Sequence, residues 1–445
     1  MKSKGTVDLR EGPILRKIII FSLPIILSSI IQRLFNMADM IIAGNYIGDH
    51  ALASIGATST VSLILVMVFL GFSVGSGILS AHFFGANDRE GLNDCLHTAF
   101  YISLAIGVFL YIVSQFSAEF ILRVMNVPED VFEEALGYVK IYFMCLPASM
   151  CFNSLNAISR SVGETKKPMT FLVISGALNV ALNVVFVVWF RWGIPGIAYA
   201  TVITTYLSAI LIVIQFIIGT GDAKFNFRSI RISTRCLKKI VRLSLPPGFN
   251  YLLVGITDSV VQSAVNVFGS RYIAGHVAAS GIFTLFALVM SSINQATLTF
   301  SAQNYGVGNY ERIKTGYKIT EKAVLVTSIV ALFVYVVFRR PLLMLYTTDE
   351  VALQAGEMYV FVCGISSLAF FMRDNIASIL NGLGKTFETM IMSVCTIGAM
   401  RILWNYTIFL IFKSYVVLLI SYTVSWVAGY IICKIMIHKE FKKLV

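Results

Sequence analysis

Residues 14–44 read ILRKIIIFSLPIILSSIIQRLFNMADMIIAG, a mainly apolar run with a carboxylate, Asp39, near its end. About 20 such residues suffice for a helix to cross a bilayer. An acid at the centre of a membrane helix costs roughly 2.5–3.5 kcal/mol on insertion scales. The stretch therefore predicts a first membrane-spanning helix in which Asp39 is either held by polar neighbours or needed for the activity of the protein.

The composition of the whole chain agrees with the prediction of a membrane-spanning helix. Hydrophobic residues make up 57% of the 445 positions and charged residues 13%, whereas a soluble chain has about 25% charged residues. A chain this apolar cannot cover its surface with polar groups, so its solvent must be lipid. The net charge of +12 does not indicate a nucleic-acid partner, because Lys and Arg cluster in short segments between apolar runs. The composition predicts an all-α polytopic membrane protein.

Twelve apolar runs are long enough to be transmembrane helices, at 17–43, 52–80, 95–116, 131–158, 169–190, 194–218, 240–268, 274–302, 318–338, 351–380, 389–411 and 415–437. An even number of spans places both termini on one side of the membrane. Most of the 35 Lys and Arg residues fall on that side, and such a bias marks the cytoplasm. We expect a multi-pass protein of the cell (inner) membrane with both termini cytoplasmic.

The chain also repeats itself. ILRKIIIFSLP at 14–24 matches CLKKIVRLSLP at 236–246, which lies 222 residues later, and RSVGETKKPM at 160–169 matches NGLGKTFETM 221 residues later. The repeat predicts an N-terminal six-helix lobe at 14–218, a basic cytoplasmic linker at 219–239 and a C-terminal six-helix lobe at 240–437. Parallel repeats of this kind surround a central cleft in transporters that work by alternating access. A two-lobed channel is the alternative on architecture alone.

Several motifs carry a resemblance to a known family. They are Pro24 with Asn36-x-x-Asp39 and Gly44, AHFFGAND after the second span, RSVGETKKPM after the fourth, LNVALNVVFVV in the fifth, AQNYGVGNYER after the eighth and NGLGKT after the tenth. In order and spacing the chain resembles the multidrug and toxic compound extrusion (MATE) family of cation-coupled efflux transporters. The resemblance implies an antiporter that exports organic, often cationic and amphipathic compounds in exchange for H+ or Na+. We expect a monomer in the lipid bilayer, with a small-molecule substrate, no cofactor and no enzymatic activity.

Asp39 is the first candidate for the coupling site. Gln32, Asn36 and Asp39 are spaced i, i+4 and i+7, so they share one face of a helix. In the family that the chain resembles, an Asp at this motif position couples transport to a cation. Burial disfavours the charged form of a carboxyl group, which would let Asp39 load and release a proton. The structural alternative is a polar contact that holds two helices together.

Amide side chains on the fourth and fifth spans are the candidate neighbours of Asp39. Ser175, Asn179 and Asn183 recur every four residues, and Asn153 and Asn156 lie on the preceding span. Some relatives have Asp in place of Asn183, which leaves Asp39 as the single carboxylate inside this lobe. Asn in membrane helices also serves simply to join helices, with a contribution of about 0.6–2 kcal/mol, so both interpretations stay open.

The C-terminal lobe offers a second candidate cation site. Asp258 lies in the seventh span with Gln262 and Asn266 on the same face, and Asp374 lies in the tenth span. Oxygen ligands from two acids would suit Na+, which resembles cation binding in some relatives. The alternative is charge neutralisation, in which Arg373 or Arg401 pairs with an acid and lowers the cost of burying it.

Other functions are less consistent with the sequence. GFSVG at 71–75 lacks the strand–turn–helix context of a nucleophile elbow, and GKT at 384–386 lacks the first glycine of a phosphate-binding loop. The sequence has no HExxH motif and no His pair at metal-ligand spacing, so no metal site other than the one for Na+ is expected. Two rivals remain, a lipid-linked oligosaccharide flippase of related fold and, from another class, a membrane-embedded enzyme.

Overall fold

The computed structural model describes residues 6–48, 54–55, 70–125, 127–219, 223–225 and 232–444, and these residues form helices and connecting turns without any strand. The helices, in chain order, are α1 (Ile14–Tyr46), α2 (Leu70–Gly85), α3 (Arg89–Val124), α4 (Glu129–Tyr142), α5 (Leu146–Ser161), α6 (Lys166–Asn183), α7 (Ile194–Ile218), α8 (Thr234–Asn266), α9 (Ser270–Val307), α10 (Tyr310–Val337), α11 (Arg339–Met344), α12 (Glu350–Gly382), α13 (Thr386–Ser393), α14 (Arg401–Tyr406), α15 (Ile408–Phe412) and α16 (Tyr415–Lys443).

Ten helical segments among the described residues are long and apolar enough to cross a membrane. They correspond to ten of the twelve predicted spans. The predicted second span, 52–80, lies largely outside the described residues, where only α2 is seen. The predicted seventh span is α8, a 33-residue helix whose Asp258, Gln262 and Asn266 make it more polar than the others. The all-α, multi-pass fold predicted from the sequence is confirmed.

Three predicted spans are interrupted where the sequence suggested single helices. A 3₁₀ turn at Phe143–Cys145 separates α4 from α5. A π-helical segment at Val184–Trp189 follows α6, and another at Val394–Met400 joins α13 to α14. A π turn widens the helix locally and often occurs at functional sites. Hydrophobic pattern does not reveal such breaks, because the apolar residues continue through them.

The structure separates into two compact units, and the boundary passes through two helices. The first unit comprises Met1–Asp8 and Leu23–Gly248, and the second comprises Leu9–Ser22 and Phe249–Val445. The division of α1 falls just before Pro24, and that of α8 falls just after Pro246 and Pro247. Proline within a helix removes a backbone hydrogen bond and disturbs the helix locally, and in both helices the change of unit falls within two residues of a proline. The lobe boundaries predicted from the repeat remain a prediction.

Close helix packing in the first unit depends on glycine. A Cβ atom on Gly71 of α2 would lie 2.3 Å from the Cα atom of Gly248, and one on Gly75 would lie 2.7 Å from the backbone nitrogen of Ser244. The hydroxyl of Ser244 donates a hydrogen bond to the carbonyl oxygen of Phe72 at 3.1 Å. Small residues let membrane helices approach until dispersion contacts and hydrogen bonds form between them. The glycines of the GFSVG stretch are therefore packing residues.

The second unit is built around α12, which packs against α9, α10 and α16. Asn375 lies at the centre of this arrangement and is fully buried. Its Oδ1 atom accepts a hydrogen bond from Thr320 of α10 at 3.2 Å, and its amide nitrogen lies 3.4 Å from Asn294 Oδ1 of α9. A buried amide with partners on two neighbouring helices fixes their rotation as well as their contact.

Candidate functional site

The polar site of the first unit joins three helices through Asp39. The amide nitrogen of Asn183 on α6 donates a hydrogen bond to Asp39 Oδ1 on α1 at 2.5 Å. The same nitrogen lies 3.3 Å from Asn179 Oδ1, and the amide nitrogen of Asn179 donates to Thr204 Oγ1 of α7 at 3.4 Å. Asn183 and Asn179 are buried, whereas Asp39 is half-buried. The chain from Asp39 to Thr204 therefore runs from a partly accessible carboxylate into the interior of the unit.

Local sequence explains how these side chains meet. Asn179 and Asn183 are four residues apart on α6, so they lie one helical turn apart on the same face. The π segment Val184–Trp189 begins directly after Asn183. On α7, Thr201, Thr204, Thr205 and Ser208 follow the i, i+3, i+4 and i+7 pattern of a single polar face. That threonine face was the signal that could have identified Thr204, which the sequence analysis missed.

Two buried polar atoms beside this chain have no hydrogen-bond partner within the described part of the protein. They are Asn183 Oδ1 and Ser175 Oγ. A carboxylate accepts hydrogen bonds but does not donate one, whereas a protonated carboxyl group donates through its O–H. A free acceptor on the residue that holds Asp39 is consistent with a site whose proton content changes.

The other polar residues predicted for this lobe lie apart from that chain. Gln32 and Asn36 are exposed on α1, and Asn156 is half-buried on α5. Asn153 donates a hydrogen bond to the backbone oxygen of Ser149 within its own helix at 2.8 Å. No hydrogen bond given by the described residues connects these four side chains to Asp39. The structure thus brings Asn179 and Asn183 to the carboxylate and leaves the remaining candidates without a demonstrated role.

In the second unit Asp258 lies beside a buried arginine. Arg401 Nη1 is 3.5 Å from Asp258 Oδ1, and Arg401 Nε donates a hydrogen bond to Ser425 Oγ at 2.9 Å. The guanidinium carbon lies 4.3 Å from the ring centroid of Tyr422 and 5.6 Å from that of Trp426. Arg401 is 3% exposed, while the side chain of Asp258 is 55% exposed. The aromatic rings and Ser425, all on α16, were not predicted from the sequence.

Asp374 is paired in the same way with its neighbour in the chain. Arg373 Nε donates a hydrogen bond to Asp374 Oδ1 at 2.9 Å, and Arg373 Nη2 contacts the same oxygen. The guanidinium carbon of Arg373 lies 5.0 Å from the ring centroid of Phe370. Gln262 Nε2 donates a hydrogen bond to Asn266 Oδ1 at 3.1 Å, and within the described part of the chain neither side chain bonds to Asp258 or Asp374. Asp258 and Asp374 therefore each lie within reach of an arginine, as charge neutralisation requires.

No group of three or more His, Cys, Asp and Glu side chains that could hold a metal ion occurs among the described residues. Asp258 and Asp374 do not form such a group. The prediction of Na+ at these two acids is left without further support from geometry, and it remains a prediction.

The internal repeat relates the two polar sites to each other. GALNVALN at 176–183 aligns with GAMRILWN at 398–405 at an offset of 222, so Arg401 occupies the place of Asn179. At Gly163 and Gly384 the offset is 221. The second half therefore has one additional residue between Gly384 and Gly398, a range that includes the start of the π segment Val394–Met400, and a π turn is a helical geometry that accommodates one more residue.

Both units consequently place an acid of their first long helix against the same later helix of the repeat. The partner in the first unit is a neutral amide, Asn183, and the partner in the second unit is a cation, Arg401. At the offset of 222 Asp258 falls on Asn36 and Arg401 falls on Asn179, each about one helical turn from the members of the first pair. The two sites thus lie close together in the repeat and differ in charge.

Comparison with known proteins connects this architecture to a family. The MatE family profile matches residues 24–185 and 246–407, which start 222 residues apart. Probable multidrug resistance protein YoeA of Bacillus subtilis (strain 168) is 24% identical over 394 residues, which cover 87% of this chain and 85% of that protein. Multidrug export protein MepA of Staphylococcus haemolyticus is 20% identical over 391 residues, which cover 88% of this chain and 84% of that protein.

A similar fold has been solved. The structure of a MOP superfamily transporter from Pyrococcus furiosus superposes with a TM-score of 0.91 and 21% identity, and the match covers 100% of this chain and 99% of that one. At 21% identity the superposition is evidence for the fold alone. The family profile covers most of the chain as two repeats, and the resemblance found in the sequence motifs is thereby confirmed: the chain belongs to the MatE family of multidrug and toxic compound extrusion transporters.

Proposed function

We propose that the protein is a secondary antiporter that exports organic, often cationic and amphipathic compounds in exchange for inward H+, with Asp39 as the coupling carboxylate. The names of YoeA and MepA, a multidrug resistance protein and a multidrug export protein, support the export of drugs. The two parallel repeats support alternating access, because transporters with this architecture expose one site to each side of the membrane in turn.

The observation that carries the choice of H+ is the neutral partner of Asp39. Asn183 donates to the carboxylate and carries no charge of its own. When Asp39 takes up a proton, no cation loses its counter-ion. When Asp258 or Asp374 takes up a proton, a buried arginine is left without its acid, and uncompensated buried charge is strongly destabilising. Asp39 is thus the acid whose charge can change at the lowest cost.

The sequence does not decide whether the coupling ion is H+ or Na+, and ligand chemistry supports H+. A hard cation such as Na+ needs several oxygen ligands around it. The oxygens of Asp258 and Asp374 face guanidinium groups, and the oxygens near Asp39 belong to neutral amides and one threonine hydroxyl. A proton needs a single carboxylate oxygen, which Asp39 supplies.

The energy of a proton is sufficient for the proposed task. A cation that moves inward gains about 2.3 kcal/mol per 100 mV of membrane potential. Since about 1.4 kcal/mol corresponds to a tenfold ratio, one proton at 100 mV can balance a gradient of about fiftyfold for an uncharged substrate. A monovalent organic cation that leaves as one proton enters carries an equal charge outward, so for such a substrate the pH difference supplies the energy.

The test is transport into proteoliposomes under one gradient at a time. The purified protein is reconstituted with a fluorescent organic cation, ethidium, outside the vesicles. In the first arm the lumen is acidic and sodium is equal on both sides; in the second the lumen contains sodium and pH is equal. We expect ethidium to accumulate in the first arm and not in the second. Accumulation in the sodium arm alone would overturn H+ as the coupling ion, and accumulation in neither would overturn the antiport proposal.

A further inference from the structure

An aromatic cavity lies in the first unit, and none of its lining residues belongs to the hydrogen-bonded chain from Asp39 to Thr204. The cavity has a volume of about 490 Å³ and is lined by Phe186, Trp192, Pro195, Tyr199 and Ile203. Phe186 and Trp192 are stacked with ring centroids 4.8 Å apart, and Trp192 meets Tyr199 edge-on at 6.1 Å. Cavities of about 300–1,000 Å³ are the size of small-molecule and lipid sites. The lining is almost entirely apolar, so its occupant must be apolar too.

The backbone between the two helices shapes one wall of this cavity. The amide of Trp192 donates a hydrogen bond to the carbonyl oxygen of Phe186 at 2.9 Å, which holds the two rings together. Arg191 and Gly193 have positive φ angles of 56° and 62°. Left-handed backbone is uncommon for a residue other than glycine, so the tight turn requires Arg191 to adopt it. The turn places an arginine directly beside the cavity wall.

The cavity lies at one end of an exposed apolar stripe of α7. Tyr199, Ile203, Ile210, Ile214 and Ile217 are exposed on this helix and follow one another at spacings of three, four or seven residues, which makes a single stripe. The helix is long and apolar enough to cross the membrane. An apolar stripe on such a helix is the surface that acyl chains cover, so a chain from the bilayer can enter the cavity directly.

The residues of the turn are those of a membrane interface. Trp189 and Phe190 are 73% and 54% exposed, and Trp belongs to the aromatic belts at the level of lipid headgroups. Arg191 is exposed and has no acidic partner within the described part of the chain. An arginine at the level of the lipid headgroups faces phosphate groups. Its planar guanidinium binds a phosphate group with two parallel hydrogen bonds.

We propose that this cavity binds one acyl chain of an anionic phospholipid whose headgroup phosphate is held by Arg191. The lipid belongs to the leaflet at the end of α7 opposite the basic linker. An organic cation is disfavoured as the occupant, because Arg191 would repel it. A lipid without net charge would fill the cavity but would gain less from Arg191 than an anionic one.

The second unit provides a matched comparison. Lys413 lies 222 residues after Arg191, is exposed and also has a positive φ angle, of 44°. The residues 222 positions after Trp192 and Tyr199 are Ser414 and Ser421. The repeat has therefore kept the cation of the turn and lost the aromatic lining, and Lys413 should not hold a lipid in the same manner.

Native mass spectrometry of the full-length protein, with phosphatidylglycerol or phosphatidylcholine of identical acyl chains added to the detergent, tests the proposal. We expect the wild type to retain one phosphatidylglycerol more tightly than any phosphatidylcholine. Ile203→Trp, which fills the cavity, should lose this lipid, while Ile214→Trp on the same stripe should keep it. Arg191→Gln should weaken the binding of phosphatidylglycerol by about tenfold, the loss of one charge-assisted contact, and Lys413→Gln should not.

Three outcomes would overturn the proposal. They are equal retention of the two lipids by the wild type, an Ile203→Trp variant that keeps its lipid, and a Lys413→Gln variant as weak as Arg191→Gln. If Ile203→Trp does not yield folded protein, judged by gel filtration, the comparison of Arg191→Gln with Lys413→Gln decides alone. Transport activity is not needed for any of these measurements, so failure here is separate from failure of the proposed antiport.

Discussion

The amide of Asn183 on α6 donates a hydrogen bond to the carboxylate of Asp39 on α1, across 144 residues of chain. In the second unit the corresponding helices bring Asp258 to Arg401. A carboxylate beside an amide can change its charge without stranding a counter-ion, whereas a carboxylate beside a buried guanidinium cannot. This difference between two halves of one repeat is the physical basis for assigning the coupling role to the first half.

Replacement of Asp39 by Asn tests that role directly. The variant keeps the size and hydrogen-bonding capacity of the side chain and removes its ability to carry a proton. We expect normal insertion and folding, with efflux of ethidium from cells reduced to near the level of cells without the protein. Asp130→Asn, a change of the same kind at an exposed residue of α4, should transport like the wild type. Normal efflux by the Asp39 variant would show that this acid is structural.

Asp374→Asn should cause loss of stability instead of loss of coupling. Arg373 is 5% exposed and bonds to Asp374 through two nitrogens. Breaking a buried pair on one side costs about 3–5 kcal/mol. We expect little folded protein in the membrane and a lower melting temperature in detergent. The double variant Asp374→Asn with Arg373→Met removes both charges and should recover much of the stability; a single variant as stable as the wild type would contradict this account.

Asp258→Asn should be mild by comparison. The nearest guanidinium nitrogen is 3.5 Å from Asp258 Oδ1, and Arg401 keeps its hydrogen bond to Ser425 and its contacts with two aromatic rings when the acid is neutralised. The loss of stability should therefore be smaller than in Asp374→Asn, although Arg401 loses its acid. We expect a folded variant with proton-driven transport at the wild-type level. Transport should be measured with and without a sodium gradient. A sodium stimulation present in the wild type and absent from this variant would instead identify Asp258 as a sodium ligand.

The orientation in the membrane can be checked with introduced cysteines. Cys236, in the basic segment, is buried and would be a poor reporter, and Cys395 is the exposed cysteine among the seven. In a Cys395→Ser background, Lys238→Cys should react with a membrane-impermeant maleimide only in inverted vesicles. Lys413→Cys should react in intact cells. Both lysines are exposed. The reverse labelling pattern would show that the orientation is opposite to the one predicted.

Replacing either of two glycines with alanine tests helix packing, because the expected changes in stability have opposite signs. A Cβ atom on Gly71 would lie 2.3 Å from the backbone of Gly248, whereas nothing lies within 4 Å of one on Gly137. Gly71→Ala should therefore destabilise the protein by about 1–3 kcal/mol or more, because neither backbone can yield. Gly137→Ala, within α4, should stabilise it by about 0.5–1 kcal/mol through the lower entropy of the unfolded chain. Melting temperatures in detergent provide the measurement.

The sequence by itself determined the all-helical membrane fold and the duplication, and it made Asp39 the first candidate for the coupling site. Apolar runs, the distribution of Lys and Arg, and the spacing of Asn179 and Asn183 are local properties of the chain, and helix geometry converts them into spans and faces. The same local pattern placed Asp258 and Asp374 within predicted spans, either as a cation site or as partners of arginine.

Only the tertiary structure decided which partner each acid receives. Asp258 and Arg401 are 143 residues apart, and their meeting depends on the rotation of α8 and α14 about their own axes. That rotation follows from side-chain packing and from the π segment Val394–Met400, neither of which leaves a periodic signal in an apolar sequence. Ser425 and Tyr422 entered the second site for the same reason. Periodicity specifies a face of a helix, and packing against other helices decides what that face meets.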